Sequence, residues 1–371
     1  MDFNIISLLD TAGFVQGLVL GILLIVLNKR KHRTTTFLGL FLILYACQRV
    51  PVILRDLKVY DNYPELYMLP LNFFWLLMPL FYLYTQEISV FSSNKKKYWL
   101  LFPGIIAFII QVIVFFLPYE TKLYIAPNLW RGAFFVSGAV YSWIVGFWNL
   151  KLLSDHRNEV RNHFSMLVSR ELQWARTFLF FSLTGTILYM AQAHFLSENQ
   201  FSRFFFLAFD LIVIYWVSYH GVVQRNILSL AAKKQMYDSV ASKKSQEVIP
   251  LPSLSKEYLQ ELVEKIDGYM NTSESFVHTE LTIIDLAEKV DVHPKRISKA
   301  INTIRNQNFN SYVNLFRIKK AEQILKNNEE EHLSIEGIGN EVGFHSKSAF
   351  YSAFRKVTGT TPTKYKQYIS A

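Results

Sequence analysis

Two groups of basic and hydroxyl side chains near the C-terminus have the chemistry of a nucleic-acid interface. Ammonium and guanidinium groups bind phosphates or base edges, and hydroxyls bond either. Each group occupies the outward positions of a short helical pattern whose inward positions are apolar. The first group is Lys295, Arg296, Ser298 and Lys299, and the second is Lys347, Ser348, Tyr351, Ser352 and Arg355. The alternative for each group is an ordinary solvated helix face.

No pattern of an enzyme active site is found in the sequence. It has no glycine-rich phosphate loop, no nucleophile elbow and no zinc-binding spacing of histidine and cysteine. The single cysteine, Cys47, lies in an apolar run, which excludes a disulfide within the chain. We therefore expect a protein that is not an enzyme and that binds no metal or cofactor.

Two helix-turn-helix patterns would position the polar groups. In the first, an apolar stripe over residues 281–290 is followed by a turn and by Pro294, a favoured first residue of a helix. In the second, Ser334 can cap a helix that runs to Val342, and Gly343 then turns the chain. Residues 310–325 have the pattern of one long helix between the two units. Two helix-turn-helix units joined by one rigid spacer helix can place their recognition helices in successive major grooves of DNA, about 34 Å apart.

The region from about residue 281 to 368 resembles the DNA-binding domain of the AraC/XylS family of bacterial transcription regulators. The resemblance implies sequence-specific binding of double-stranded DNA, control of transcription initiation, and RNA polymerase as a partner. Its characteristic elements occur in order: Leu286-Ala287, Ile297-Ser298-Lys299, Phe309 to Tyr312, Arg317 to Leu325, Val342-Gly343-Phe344, Ser348 with Phe350, Phe354-Arg355-Lys356, Gly359, and Pro362 with Tyr365.

The same resemblance implies roles for the polar groups. It places Lys295, Arg296, Ser298, Lys299, Lys347, Ser348, Tyr351 and Ser352 at base edges and nearby phosphates, and Arg355 and Lys356 at the phosphate backbone. Arg317 on the spacer helix, with Lys319 and Lys320, is either a backbone contact or plain surface charge. Two positions depart from the family. Gly339 replaces the usual alanine and should soften its helix by up to about 1 kcal/mol, and Lys366 replaces the usual arginine.

The first two thirds of the chain have the composition of a membrane protein. Apolar residues make up 51% of the chain and charged residues only 18%, and all 7 tryptophans precede Tyr219. We predict an all-α fold in which a bundle of about seven transmembrane helices, with six as the fallback, precedes the two helix-turn-helix units. The predicted spans are Leu9–Leu27, Thr36–Leu54, Leu66–Ile88, Tyr98–Leu117, Trp130–Leu152, Trp174–Leu196 and Arg203–Val223.

Lysine and arginine in the short loops predict the orientation. They are concentrated in the odd-numbered loops, which contain residues 28–33, 95–97 and 157–170, and after the last span. The even-numbered loops contain almost none. Positive loops face the cytoplasm, so we expect a multi-pass protein of the bacterial cytoplasmic membrane with its N-terminus outside and its C-terminal domain in the cytoplasm.

The expected domains are a sensor bundle at 1–223, a linker with a coupling helix at 224–276, and the DNA-binding domain at 277–371. Residues 241–255 resemble a flexible linker, through which proteolysis could release the soluble part. The following helix, Lys256 to Met270, has an apolar stripe at helical spacing. It either packs on its own DNA-binding domain or forms the seam of a homodimer.

Polar residues inside the predicted spans are costly and suggest a function. We predict a sensing site for a small-molecule or membrane-borne signal, with Arg49 and Asp210 as an ion pair; the residues are Arg49, Asn72, Gln111, Gln192 and Asp210. The alternative is a set of hydrogen bonds that hold the helices together. The chain as a whole is predicted to couple that signal to transcription. The rival function is a transporter or receptor whose DNA-binding tail reports substrate occupancy.

Overall fold

The structure is a computed structural model, which describes residues 5–26, 35–92, 94–126, 132–167, 170–195, 200–223, 255–327 and 333–370. Within these ranges every regular element is a helix, apart from one isolated antiparallel bridge between Phe164 and Thr282. The all-α prediction is therefore confirmed for the described residues. The chain divides into two compact units, the first formed by Met1–His156 with Leu172–Ala231 and the second by Arg157–Glu171 with Ala232–Ala371.

The first unit consists of apolar helices, several of them long. Their bounds are α1 Ile5–Val26, α2 Thr36–Cys47, α3 Val50–Asp56, α4 Val59–Asn62, α5 Phe74–Ile88, α6 Phe102–Phe115, α7 Tyr119–Ile125, α8 Phe135–His163, α9 Gln173–Phe195 and α10 Gln200–Val223. Small residues allow α1 and α2 to approach closely. A Cβ added to Gly21 would lie 2.8 Å from the Gly39 carbonyl oxygen, and one on Gly39 would lie 2.7 Å from that of Gly21.

Four helical stretches among the described residues are long and apolar enough to cross a membrane: Ser7–Val26, Thr36–Asp56, Tyr98–Phe115 and Gly132–His163. The predicted count of seven, or six, is not reached. Helix α5 has only 15 residues, about 22 Å at the helical rise, which is shorter than a hydrocarbon core. Most of its side chains are buried against neighbouring helices, which explains their apolar character without lipid. Helices α9 and α10 have the length, but polar residues such as Arg176 and Asp210 interrupt their apolar runs.

The second unit contains the two predicted helix-turn-helix units. Helices α12 (Ile283–Val290) and α13 (Pro294–Arg305) form the first, and α15 (Ile335–Glu341) and α16 (Lys347–Thr358) form the second. The long spacer helix α14 spans Phe309–Asn327, close to its predicted bounds. Helix α11 (Lys256–Ser273) and a short 3-10 helix (Ser275–Val277) precede the first helix-turn-helix, and α17 (Pro362–Ser370) follows the second helix-turn-helix.

Helix α11 belongs to the core of the first helix-turn-helix unit. Its apolar stripe is buried among residues of α12, α13 and the N-terminal half of α14; the buried stripe is Leu259, Leu262, Val263, Ile266 and Met270. Of the two predicted alternatives, packing on its own DNA-binding domain is the one observed. Because the stripe is already covered within the protomer, the structure favours this alternative over a dimer seam, and the expected domain bounds stay a prediction.

Candidate nucleic-acid interface

The first helix-turn-helix is built by local capping. Thr282 accepts a hydrogen bond from the Asp285 amide, and the Asp285 carboxylate accepts one from the Thr282 amide, so a reciprocal capping box starts α12. Asp291 ends the helix in the left-handed region, and the Val292 amide bonds back to the Ala287 carbonyl at 3.1 Å. The His293 side chain then caps α13 by accepting from the Lys295 amide at 3.2 Å.

The second helix-turn-helix repeats this design with a glycine in the turn. Ser334 caps α15, and the Phe344 amide bonds back to the Gly339 carbonyl at 2.9 Å. Gly343 has a φ of +95°, and a Cβ there would lie 2.4 Å from the carbonyl oxygen of Val277. Ser346 caps α16, accepting from the Ala349 amide at 3.3 Å. The turn therefore requires glycine for its conformation and also for its close approach to another backbone.

Gly339 has a packing role that the sequence does not reveal. A Cβ at this position would lie 2.9 Å from the ring of Phe350, which is fully buried in the apolar core of the second helix-turn-helix. The glycine lets α15 and the ring of α16 approach each other, so its effect is not only the softening of its own helix that the family comparison predicts.

The four predicted residues of α13 lie on its outer side. Lys295 is exposed, and Arg296, Ser298 and Lys299 are half-exposed. The opposite side, with Ile297, Ala300 and Ile301, is buried in the apolar core of the first helix-turn-helix. The helix thus presents two or three cations and a hydroxyl to solvent, as the interface requires.

On α16, Lys347, Ser348, Ser352 and Arg355 are exposed. Tyr351 is half-buried, and its hydroxyl lies 3.0 Å from that of Thr363. The Lys347 ammonium lies 5.8 Å from the centre of the Tyr351 ring and 4.0 Å from the Glu336 carboxylate. Both ions are mostly exposed, so this pair is weak and leaves Lys347 able to meet a phosphate.

Lys356 differs from the other predicted residues of α16. Its ammonium donates to the Ser311 hydroxyl of α14 at 3.2 Å, although the side chain is exposed. The lysine therefore joins the end of the second recognition helix to the spacer helix, in addition to the backbone contact that the family resemblance implies.

The first recognition helix is fixed from behind by α11. The Asp267 carboxylate accepts hydrogen bonds from the Arg305 guanidinium at the end of α13 and from the Tyr312 hydroxyl of α14. Burial, with this hydrogen bond, raises the pKa of Tyr312, so its hydroxyl stays a donor. Lys265 donates to the carbonyl of Val290 at the end of α12, at 2.8 Å. The sequence analysis missed this support, whose only local signal is that Asp267 lies in an otherwise apolar stretch of α11.

Arg317 is neither a DNA contact nor a surface charge, so both predicted alternatives are wrong. It is 2% exposed, its Nε donates to the Phe276 carbonyl at 2.6 Å, and a terminal nitrogen donates to the His278 carbonyl at 2.8 Å. Burial lowers the pKa of Arg317 to about 10, so it remains charged at neutral pH. A local signal exists: Arg317 lies four residues from both Val313 and Ala321, on one buried row of α14.

The predicted sensing residues of the first unit form two groups. Arg49, at the break between α2 and α3, lies 3.2 Å from Asp210, as predicted, and 2.9 Å from Asp10, which the prediction omitted. Asn72 and Gln111 are joined by bonds between the Gln111 amide group and the Asn72 backbone at 3.0 and 2.7 Å. Gln192 lies on α9, but its side chain is outside the described part of the structure.

Comparisons with known proteins agree with this geometry. Residues 286–368 match a family described as a helix-turn-helix domain. The chain is 28% identical over 116 residues to the Msm operon regulatory protein of Streptococcus mutans, covering 30% of this chain and 41% of that protein. It is 23% identical over 153 residues to YtdP of Bacillus subtilis, an uncharacterized HTH-type transcriptional regulator, covering 38% of this chain and 19% of that protein.

A solved structure also matches, that of the C-terminal domain of AraT, a response regulator from Geobacillus stearothermophilus. It is 27% identical and covers 29% of this chain and 84% of that one, with a TM-score of 0.25. The chain spans less than half of each curated relative that it matches. By the family match, residues 286–368 are an AraC-type helix-turn-helix domain, and the two curated relatives are named as regulators.

Proposed function

We propose that this protein is a membrane-anchored transcription regulator that binds specific DNA sequences and couples a signal at the membrane to transcription. The observation that carries the proposal is the joint presence, in the described part of the chain, of two complete helix-turn-helix units and four helices of membrane-spanning length. Both recognition helices present exposed cations and hydroxyls and bury their apolar sides. Their DNA contacts are assigned to the ten predicted residues of α13 and α16.

The location that fits this function is the bacterial cytoplasmic membrane, with the second unit in the cytoplasm. A DNA-binding domain has to lie on the side of the chromosome, and the positive loops independently favour that orientation. The partners that follow are membrane lipid, double-stranded DNA and RNA polymerase. A homodimer remains part of the proposal, but its contact surface is not the stripe of α11, because that stripe is buried in its own unit.

The sensing site is assigned to the charged group in the first unit. Arg49 is 6% exposed and is held between the carboxylates of Asp10 on α1 and Asp210 on α10. Because the three charges belong to α1, to the break between α2 and α3, and to α10, a ligand or a change in the membrane that separates them would shift these helices together. Asn72 and Gln111 are assigned to the same function by their polar character within apolar surroundings.

The same charged group favours a second function, that of a transporter or receptor whose DNA-binding tail reports occupancy. Charged residues within membrane segments often mark a substrate path, and Asp210 is 38% exposed in its side chain. Substrate flux in vesicles that contain the purified protein would favour this function. Signal-dependent transcription without flux would favour the regulator.

DNA binding is tested with the full-length protein in lipid nanodiscs. We expect selection from a random duplex library to enrich one sequence, and binding to weaken steeply as salt increases. Replacing Lys299 or Lys347 with alanine should weaken binding. The control is Lys289→Ala, which removes an exposed cation from α12, outside the recognition helices. If no sequence is enriched over random duplex, the proposed function is wrong.

The sensing role is tested separately with Asp210→Asn and Asp10→Asn in cells that carry a reporter gene under the selected sequence. We expect both variants to change reporter expression while the purified proteins keep their DNA affinity. The matched control is Asp56→Asn, a carboxylate at the end of α3. Normal reporter regulation by both variants would remove the charged group from any sensing role.

A further inference from the structure

A short segment from the membrane-side part of the sequence belongs to the DNA-binding unit. Residues Arg157–Glu171, which comprise the last turns of α8 and the residues that lead to α9, group with Ala232–Ala371. Phe164 forms an antiparallel bridge with Thr282, the residue that caps α12. The Ser165 amide donates to the Leu281 carbonyl at 3.1 Å, and the Ser165 hydroxyl donates to the same carbonyl at 2.7 Å. Phe164 and Ser165 are 6% and 3% exposed.

The segment also reaches the spacer helix α14 at two points. The Asn310 side chain donates to the carbonyl of Ser165, and a terminal nitrogen of Arg317 lies 3.3 Å from the Ser165 hydroxyl. One serine is therefore bonded to the entrance of the first helix-turn-helix and to two positions of the helix that connects it to the second. Contacts of this number and burial are those of a docked segment rather than a solvated loop.

The two ends of the segment are held together by charge. The Glu171 carboxylate lies 2.6 Å from the Arg161 guanidinium and 3.2 Å from that of Arg157, and its side chain is 6% exposed. The Arg170 guanidinium lies 4.8 Å from the centre of the Phe164 ring and 3.8 Å from the carboxylate of Glu280. These contacts tie the end of α8 to Arg170 and Glu171, so a displacement of α8 or α9 would be passed to Phe164 and Ser165.

The docking position lies at the joint between the two helix-turn-helix units. On α14, Val313 belongs to the apolar core of the first helix-turn-helix and Ile318 to that of the second, and Arg317 lies between them. The Arg317 guanidinium is 5.5 Å from the centre of the Phe344 ring in the second turn. The contacts described above between this segment and the helix-turn-helix region involve residues 279–282, Asn310 and Arg317, which are outside the predicted DNA-contacting set. Docking can therefore act on the angle between the recognition helices without covering them.

We propose that residues 157–171 are an intramolecular clamp through which the membrane helices control the DNA-binding domain. The docked clamp holds the joint around Arg317 and keeps both recognition helices in the arrangement that binds one DNA site. Withdrawal of Ser165 removes the clamp from this joint, and the two units then bind independently and more weakly. This inference rests on the proposed function and gives the signal a route in addition to the linker before α11.

A disulfide trap tests docking without reference to DNA. Phe164 and Thr282 are a bridge pair without direct mutual backbone bonds, and the Cα atoms of such pairs lie about 4.5 Å apart, within the range that disulfides require. In a Cys47→Ser background, Phe164→Cys with Thr282→Cys should cross-link rapidly when native membranes are treated with diamide. The single variants Phe164→Cys and Thr282→Cys serve as controls and should form no cross-link within the chain.

The same protein then tests control of DNA binding. Purified into nanodiscs, its oxidised form has the clamp locked and its reduced form does not, while the substitutions are identical. We expect the oxidised form to bind the selected duplex about fivefold or more tightly, the lower end of typical couplings between sites. Ser165→Pro, which removes the amide donor and restricts the backbone, should weaken binding in the otherwise unchanged chain.

The outcomes separate the inference from the proposed function. Absence of a cross-link in the double variant, together with rapid amide exchange at residues 164–166 of the unchanged protein, would show that the segment does not dock. A cross-link with equal DNA affinity in both forms would overturn the clamp and leave the regulator intact. Failure of both forms and of the unchanged protein to bind any duplex would instead reject the proposed function.

Discussion

The two helix-turn-helix units make the same turn with different residues. In the first, Asp291 takes the left-handed conformation with φ of +53°, and in the second Gly343 takes a φ of +95°. Each turn is closed by an amide that bonds five residues back, from Val292 in the first and from Phe344 in the second. An aspartate is accepted where its side chain faces solvent, whereas Gly343 faces the backbone of Val277. The difference between the turns therefore lies in what surrounds each one.

The supports of the two units differ in the same way. Helix α11 packs against the first helix-turn-helix. Its Asp267 accepts hydrogen bonds from Arg305 and Tyr312, and its Lys265 donates to the Val290 carbonyl. The second helix-turn-helix has the short helix α17 beside it, where the Tyr365 ring lies 5.3 Å from that of Phe354 and the Thr363 hydroxyl lies 3.0 Å from that of Tyr351. It shares α14, and its turn packs on Val277 and lies against Arg317. The position of the second helix-turn-helix thus depends on its joint with the first helix-turn-helix around Arg317, where the proposed clamp docks.

The largest expected effect is that of Gly343→Ala. The added methyl would overlap the Val277 carbonyl in a conformation that L-residues avoid, so we expect a loss of more than about 3 kcal/mol in the stability of the second unit. Gly359→Ala is the matched control, because its φ is +78° but nothing lies within 4 Å of the added Cβ. The control should lose only about 1 kcal/mol. Pulse proteolysis of full-length protein in urea measures both, and equal losses would contradict the role of Val277.

The next effect is that of Arg317→Met, which preserves much of the volume but removes the donor to the Phe276 carbonyl and leaves the His278 carbonyl with only the Leu281 amide. We expect a loss of about 2–4 kcal/mol from these lost hydrogen bonds. Lys320→Met is the control, because Lys320 pairs with the largely exposed Glu274 and such pairs contribute at most about 1 kcal/mol. Amide exchange of α15 and α16 should increase in the first variant and not in the second; the reverse order would place the joint elsewhere.

A third prediction is that both recognition helices contact DNA phosphates. Lys299→Ala and Lys347→Ala each remove a cation from one recognition helix. Each should lower the slope of log affinity against log salt by about one. Lys289→Ala should leave the slope unchanged. A slope that responds to only one of the two recognition helices would show that the other unit does not touch phosphate.

The smallest effect is that of Asp291→Gly in the first turn. Glycine adopts the left-handed conformation without a steric penalty, so we expect stability to rise by about 0.5 kcal/mol. Asn306→Gly is the comparison, since Asn306 also ends its helix with a positive φ and is also exposed. Urea titration followed by proteolysis can resolve the sign. A clear loss in Asp291→Gly would mean that its carboxylate makes a required contact.

Much of the DNA-binding unit could be predicted because its determinants are local. Apolar spacing, Ser334, Pro294 and Gly343 specify helices, caps and turns within a few residues of themselves, and the observed spacer helix differs from the predicted one by one residue at its start and two at its end. The number of spans was overestimated for a related reason. An apolar run is equally suited to lipid and to a protein interior, and α5 is a buried helix of only 15 residues.

The sequence by itself determined the all-helical class and the two helix-turn-helix units, because both follow from short-range periodicity and capping, and the AraC-type resemblance rests on characteristic residues at fixed spacings. Tertiary structure alone decided which charges are buried and what they hold. Ser165 and Arg317 are 152 residues apart, and Arg49 and Asp10, whose contact was not predicted, are 39 apart. No periodicity links such positions, since a long-range pair forms only when folding has brought its helices together.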